Sequence, residues 1–239
     1  MILTSFLTTP MFIALSSAKP LERVSPLRPP HSFFHRSVFL SVLGQAALNV
    51  GCLAFAVHAA KNHSPPMVSS AAHGVGFARR KFVPNLVTNA VFLLSTVQTV
   101  MVCLVNHKGY PFMKGVLETK GILYPAAMTL FLCAVILMET FPGINVLFQM
   151  APFPSLKSRA LVGMSMIVSV LGTLGLDYFV VKTFDPDLHK ARASRGMSDE
   201  AKANLRLLVP VLGVTLWQMA NLENSAAELC KYFDKMPGL

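Results

Sequence analysis

Long apolar stretches alternate with short polar joints along most of this chain. A helix that crosses a membrane needs about 20 mostly apolar residues. Stretches of that kind lie near 1–18, 33–60, 84–105, 121–138 and 159–181. The joints between them are polar, rich in proline or contain glycine, which are turn signals. The pattern therefore predicts an all-α, multi-pass integral membrane bundle of about five transmembrane helices, which forms a membrane domain over 1–184.

The residues after this domain, 185–239, are predicted to form a cytosolic tail with a short apolar helix. Ser198, Asp199 and Glu200 are typical of a helix start, and the apolar stretch follows at 205–217. This stretch is short for a membrane span. An interfacial or packed helix is the first interpretation, and a sixth span is the alternative.

The first apolar stretch also has two interpretations. It could be a membrane helix or a cleavable signal peptide, because it is short and ends in small residues. A signal peptide begins with a basic region, and no lysine or arginine precedes Lys19. The sequence therefore favours a membrane helix.

Composition supports a lipid environment. Hydrophobic residues make up 53% of the chain and charged residues only 13%, whereas a soluble domain carries roughly 25% charged residues. The net charge is +10, but the basic residues lie in the joints and do not follow one polar face. This distribution is typical of membrane-protein loops and argues against nucleic-acid binding.

Loop charge also predicts an orientation. The first joint, the third joint and the tail hold most of the lysines and arginines. The positive-inside rule places these segments in the cytosol. The cluster Arg79-Arg80-Lys81 lies in a joint on the other side and opposes this assignment.

No catalytic motif is present in the sequence. It contains no GxxxxGK[ST] or GxGxxG phosphate-binding loop, no GxSxG elbow and no HExxH zinc motif. The four cysteines form no CxxC pair and are interpreted as small buried hydrophobic residues. We therefore assign no catalytic, cofactor-binding or metal-ligating residue.

Polar side chains inside the spans are the residues of greater interest. Gln45, Asn49, Asn89 and Gln98 lie deep in apolar stretches, where amides usually join one helix to another. A substrate path is the alternative interpretation. Ala47 and Gly51 form a small-xxx-small pair, which predicts close helix packing.

Two acids lie near span ends. Asp177 precedes Lys182 by five residues near the end of the fifth span, and Glu139 ends the fourth. Acids at these depths are interpreted as solvated span ends.

Four joint sequences resemble a known family, in the same order. They read SSAKPLERVSPLRPP, VPNLV, VNHKGYPF and FPGINVLFQMAPFP. They resemble the C-terminal transmembrane region of type V, subgroup A, P-type ATPases, the transmembrane-helix dislocases of the endoplasmic reticulum. The resemblance covers roughly 12–184. It departs from the family at Thr88-Asn89, which reverses the family's order, and at His107, which replaces a tyrosine.

The residues that match the family motifs are expected to be structural: prolines fix turns, Arg28 lies at the cytosolic interface, and amides join helices. They are Lys19, Pro20, Glu22, Arg28, Pro29, Gln98, Asn106, Gly109, Pro111, Phe112, Asn145, Pro152 and Asp177.

The resemblance implies that the chain is a fragment. The family's phosphorylated Asp-Lys-Thr-Gly-Thr motif is absent from this sequence, and by the resemblance it would lie upstream with the nucleotide-binding domain. We expect no cofactor in this chain, although the parent family uses ATP and magnesium. Whether the chain is part of an enzyme stays open, since only the parent family hydrolyses ATP.

The resemblance also implies a location, partners and a role. The location is the endoplasmic-reticulum membrane, and the partners are the lipid bilayer, the remaining domains of a P-type ATPase and transmembrane-helix substrates. The chain would be the non-catalytic support part of this translocase. The alternatives are a self-sufficient membrane interaction or scaffold protein and a fragment of a cation-transporting P-type ATPase, although no chain of deep carboxylates suggests an ion path.

Overall fold

The computed structural model describes residues 2–17, 20–21, 25, 27–28, 32, 34–63, 84–209 and 213, and this part of the chain is helical. Its helices in chain order are α1 (Ile2–Ser16), α2 (Arg36–His63), α3 (Leu86–Asn106), α4 (Lys120–Met138), α5 (Pro142–Leu147), α6 (Leu156–Phe184), α7 (Pro186–Arg195) and α8 (199–209). A single 3-10 turn, Val116–Glu118, precedes α4. The predicted all-α class is confirmed.

Four helices of the described part, α2, α3, α4 and α6, are long and apolar enough to cross a membrane. They correspond to the second to fifth predicted spans. The first predicted span corresponds to α1, which has 15 residues. Among the described residues, four of the about five predicted spans are thus long enough to cross the roughly 30 Å hydrocarbon core by themselves. The all-α, multi-pass membrane bundle is confirmed.

The starts of α3 and α6 differ by a few residues from the predicted bounds, and each start carries a side-chain cap. Ser155 caps α6, because its side chain accepts a hydrogen bond from the Ser158 N–H at 3.2 Å. Asn85 caps α3 in the same way, with its Oδ1 3.0 Å from the Val87 nitrogen. Side-chain caps satisfy backbone N–H groups that have no partner within the helix. Helix α6 therefore begins before its apolar run does.

Helices α2 and α6 run antiparallel and interlock through glycine. A Cβ at Gly172 would lie 2.6 Å from Leu48 Cδ2, and a Cβ at Gly44 would lie 3.7 Å from Leu176 Cδ1. Each glycine thus faces a leucine of the other helix, which lets the two backbones approach closely. The predicted pair Ala47 and Gly51 is on another face, where both residues are exposed, so its assignment as a packing face is wrong within the described bundle.

The core centres on α3, which packs against α2, α4 and α6. Ala90, Leu93, Leu94 and Val100 have no exposed surface. Helix α1 packs on α4, where a Cβ at Gly121 would lie 3.0 Å from Ala14 Cβ. The central position of α3 explains why its polar side chains reach several neighbouring helices.

The joint after α3 forms a compact loop. Gly109 has a positive φ of 52°, and a Cβ there would lie 3.0 Å from Gly115 Cα. Both the conformation and the close approach favour glycine. A backbone bridge joins Pro20 to Met113, so the first and third joints are adjacent, as their predicted location on one side requires.

The tail continues the helical structure. Helix α7 follows α6 directly, and Ser198 begins α8 with its Oγ 3.2 Å from the Ala201 nitrogen, where the sequence predicts a helix start. Several predicted features lie outside the described residues: Lys19, Glu22, Pro29, the cluster Arg79-Arg80-Lys81, and the tail at 210–212 and 214–239.

Candidate functional site

The Asp177 carboxylate is the centre of a charged cluster at one end of the bundle. Its Oδ1 accepts hydrogen bonds from Lys108 Nζ at 2.5 Å and from Ser41 Oγ at 2.9 Å. Its Oδ2 lies 4.0 Å from Arg192 Nη1. The side chain is only 13% exposed. One carboxylate therefore connects α2, the loop after α3, α6 and α7.

The Arg192 guanidinium fixes the same loop through its backbone. It donates to the Lys108 carbonyl at 2.7 Å and to the Tyr110 carbonyl at 3.3 Å. Burial lowers the pKa of Arg192, although the charges of Asp177 and Asp185 oppose this effect. Charge-assisted bonds are stronger than neutral ones, so α7 is held firmly against the loop.

A second ion pair secures the tail. Arg195 Nη2 lies 2.9 Å from Glu118 Oε1, and the guanidinium stacks 4.7 Å from the centre of the Tyr110 ring. Asn204 donates to the Leu117 carbonyl at 2.8 Å. The 3-10 turn before α4 is thus bound by both α7 and α8.

Burial acts to raise the pKa of Glu118, but four neighbours outweigh it. A hydrogen bond from Ser198, one from the Gly115 N–H, and the charges of Arg195 and Lys114 together lower this pKa below its ordinary value of 4.5. The carboxylate is therefore held in its charged form.

A seam of amides and hydroxyls continues from Asp177 into the bundle. Gln45 donates to Ser41 Oγ at 2.9 Å, and Gln98 donates to the Asn49 carbonyl at 2.9 Å. Ser169 donates to Asn49 Oδ1 at 3.0 Å. The Gln45 bond lies within α2, whereas the Gln98 and Ser169 bonds connect α2 to α3 and α6. The interpretation of Asn49 and Gln98 as residues that join helices is confirmed.

The other end of the bundle has its own cluster. Arg159 pairs with Glu139, and the other oxygen of that carboxylate accepts the Phe153 N–H at 2.8 Å. Asn89 donates to the Ala151 carbonyl at 2.6 Å and accepts from the Ala151 N–H at 3.3 Å. These contacts fix the segment between α5 and α6 against α3 and α4.

The matched family residues occupy different parts of this arrangement. Asp177 and Asn106 lie in the first cluster, where Asn106 donates to Gln45 Oε1 at 3.4 Å. Gly109, Pro111 and Phe112 form the loop after α3.

The remaining described matches lie elsewhere. Asn145 donates to the Ile136 carbonyl at 3.4 Å at the second cluster, while Pro152 and Arg28 are exposed. These positions fit structural roles, but the assignment of each residue stays a prediction.

Sequence reasoning missed the partners of the two acids. Asp177 and Glu139 are interpreted above as solvated ends, and this interpretation is wrong, because each is paired with a cation distant in sequence. Lys182 contacts the Tyr178 ring instead of Asp177. The available signal was the presence of Lys108 and Arg159 at span ends. Among the described residues, no group of three or more metal-ligating side chains lies together.

Comparison with known proteins finds distant relatives of one kind. No family model matches the chain. It is 28% identical over 166 residues to a probable manganese-transporting ATPase of Arabidopsis thaliana. It is 24% identical over 170 residues to the endoplasmic reticulum transmembrane helix translocase of Saccharomyces cerevisiae and 27% identical over 173 residues to that of Aspergillus fumigatus.

These matches cover 69%, 70% and 71% of this chain but only 14%, 13% and 12% of the respective relatives. The chain therefore spans a small part of the length of the proteins that it matches. Three observations agree: the order of the joint motifs, the helical membrane bundle and the sequence identity. The chain is homologous to the C-terminal transmembrane region of the type V, subgroup A, P-type ATPases, the family of the endoplasmic reticulum transmembrane helix translocases.

Proposed function

We propose that the chain is the membrane-embedded support part of a P-type ATPase that moves transmembrane helices or other substrates across or out of the endoplasmic-reticulum membrane. The observation that carries this proposal is the presence of ion-pair clusters at both ends of one bundle, centred on Asp177 and Glu139. Helices joined at both ends resist sliding and rotation.

A support role requires such rigidity. When one part of a transporter moves against another, the fixed part must keep its packing while the moving part changes. The Gly172–Leu48 contact and the Asn49–Ser169 hydrogen bond add a closely packed middle to the two fixed ends. The ATP and Mg²⁺ of the reaction would be bound by the remaining domains of the ATPase.

A chimeric enzyme tests this proposal. The matching segment of the yeast translocase would be replaced by this chain, and the purified chimera reconstituted in liposomes. We expect ATP hydrolysis and extraction of a reporter transmembrane helix, with both reduced by Asp177→Asn. The matched control Asp199→Asn changes a carboxylate that is 98% exposed, and it should leave both activities unchanged.

Two outcomes would contradict the support role. One is a chimera that inserts correctly, binds ATP and shows no activity. The other is formation of an aspartyl-phosphate by this chain alone on incubation with ATP and Mg²⁺. A tagged copy of the chain should also co-localise with an endoplasmic-reticulum membrane marker.

The name of the plant relative favours a second candidate, cation transport. It predicts that Mn²⁺ stimulates ATP hydrolysis by the chimera at saturating Mg²⁺, whereas the helix-translocase proposal predicts stimulation by the reporter helix. A scaffold role is distinguished by sequencing full-length transcripts across Met1. A longer reading frame with the phosphorylation motif supports the ATPase, and a transcript that starts at Met1 supports the scaffold.

A further inference from the structure

A cleft of about 1000 Å³ lies among α3, α4 and α6 and reaches α7 and the loop after α3. Its inner wall is apolar and is formed by side chains of the spanning helices, including Met101, Leu104, Leu130 and Val170. Its mouth carries charged side chains from the loop and α7. The cleft is therefore apolar where it enters the bundle and polar where it leaves it.

The charges at the mouth are unbalanced. Three cations, Lys108, Arg192 and Arg195, line the mouth together with two carboxylates, Asp177 and Glu118. The charge of Asp185 also acts on Arg192, from outside the lining. Lys108 and Arg195 approach these carboxylates at 2.5 Å and 2.9 Å, whereas Arg192 comes no closer than 4.0 Å. Arg192 is only 29% exposed. Its Nε and Nη2 donate to backbone carbonyls, so Nη1, 4.0 Å from Asp177, is the group that an additional anion would stabilise.

The cleft also opens sideways. Leu174 and Tyr178 line its edge on α6 and are 48% and 57% exposed. Both lie on a helix long and apolar enough to cross the membrane, where an exposed apolar edge faces acyl chains. A lipid can thus enter from the bilayer without passing through water.

We propose that this cleft binds one anionic phospholipid, with its phosphate at Arg192 and an acyl chain along the apolar wall. Basic pockets between transmembrane helices on the cytoplasmic side recognise anionic headgroups, and loop charge predicts that this end of the bundle is cytosolic. A soluble anion would leave the apolar wall unused, and a zwitterionic lipid would leave the excess charge unbalanced. This site is independent of the proposed function.

Native mass spectrometry of the purified full chain tests the site. Dioctanoyl phosphatidylserine and dioctanoyl phosphatidylcholine would be added at equal concentrations. We expect at least about tenfold preferential retention of phosphatidylserine, the effect of one good charge-assisted hydrogen bond. Arg192→Gln should abolish the preference, and Val170→Trp should reduce retention of both lipids by filling the apolar wall.

The control is Lys202→Gln, because Lys202 pairs with the exposed Asp199 outside the cleft. It should retain the preference of the unmodified chain. Melting temperatures would show whether each variant folds. If Arg192→Gln fails to fold, the comparison of the two lipids on the unmodified chain still tests the charge preference, and Val170→Trp still tests the apolar wall.

Three results would overturn the proposal. They are equal retention of the two lipids by the unmodified chain, an unchanged preference in the arginine variant, and unchanged retention in the folded Val170→Trp variant. Displacement of the lipid by glycerophosphoserine at a similar concentration would also overturn it, because the site would then bind a free anion without using the acyl chain.

Discussion

Lys108 and Asp177 form an ion pair of 2.5 Å that joins the loop after α3 to the end of α6. The two residues are 69 positions apart, and both side chains are mostly buried, with 27% and 13% of their surface exposed. Ser41 donates to the same Asp177 oxygen. Removal of this carboxylate would therefore leave Ser41 on α2, Lys108 in the loop after α3 and Arg192 on α7 without the acid that they share.

Asp177→Asn should destabilise the chain by about 1–3 kcal/mol, because a charged hydrogen-bonding partner is replaced by a neutral one beside Lys108 and Arg192. The measurement is the free energy of unfolding in lipid nanodiscs, followed by circular dichroism. Asp199→Asn is the matched control, because its ion pair with Lys202 is exposed and such pairs contribute little. Equal stability of the two variants would show that Asp177 does not hold the cluster together.

Gly172→Leu should separate α2 from α6. A Cβ at this position would already lie 2.6 Å from Leu48 Cδ2, and a larger side chain requires the leucine or the helix to move. Overpacking of this kind costs about 1–3 kcal/mol. Gly175→Leu is the control, because no atom lies within 4 Å of its Cβ position. Thermal unfolding of both variants measures the difference.

The double variant Leu48→Ala with Gly172→Leu sharpens this test. If the clash at Leu48 is the cause, removal of the leucine side chain should restore a large part of the lost melting temperature. The two positions would then show a favourable coupling in a double-mutant cycle. Additive losses would place the cause elsewhere on α6.

The spans of α2, α3, α4 and α6 could be predicted from hydropathy. A long apolar run in a membrane forms a helix, because a helix satisfies its backbone hydrogen bonds within the segment. The polar residues in these spans could be predicted to join helices, because a side-chain amide surrounded by hydrocarbon finds its hydrogen-bond partner on a neighbouring helix. The partners could not be predicted. That Asp177 meets Lys108, and Glu139 meets Arg159, depends on which helices are neighbours, and hydropathy carries no information on that order.

The packing face of α2 shows the same limit. The small pair Ala47 and Gly51 satisfies the sequence pattern for close packing, but the structure uses Gly44 instead. Gly44 on α2 lies against Leu176 on α6, and in the reverse arrangement Gly172 on α6 lies against Leu48 on α2. A pattern on one helix identifies a possible face, whereas the actual face is determined by a complementary residue on the partner helix.

Asn89→Leu should loosen the segment between α5 and α6. Asn89 both donates to and accepts from Ala151, so leucine leaves two backbone groups unpaired. Side-chain hydrogen bonds between helices in membranes contribute about 0.6–2 kcal/mol, and we expect a loss of similar size for these helix-to-loop bonds. Asn62→Leu is the control, since its bond to His58 is exposed. The readout is hydrogen exchange of the Ala151 amide, which should accelerate only in Asn89→Leu.

Acid should release the Glu118–Arg195 contact. Hydrogen bonds and neighbouring cations lower the pKa of Glu118 below 4.5 despite its burial. A depressed pKa in the folded state gives stability that is present above the unfolded pKa and lost as the pH falls through the folded pKa. Glu118→Gln should therefore melt below the unmodified chain at neutral pH.

This difference in melting temperature should stay constant down to a pH near 4.5 and close at lower pH, as protonation removes the charge from the unmodified carboxylate. Melting curves recorded across this range give the comparison. Glu200→Gln serves as the control, because Glu200 is 63% exposed and its Lys114 partner lies 3.4 Å away. Its profile should follow that of the unmodified chain. A gap between the unmodified chain and Glu118→Gln that persists in acid would mean that the carboxylate charge does not secure α7 to the turn before α4.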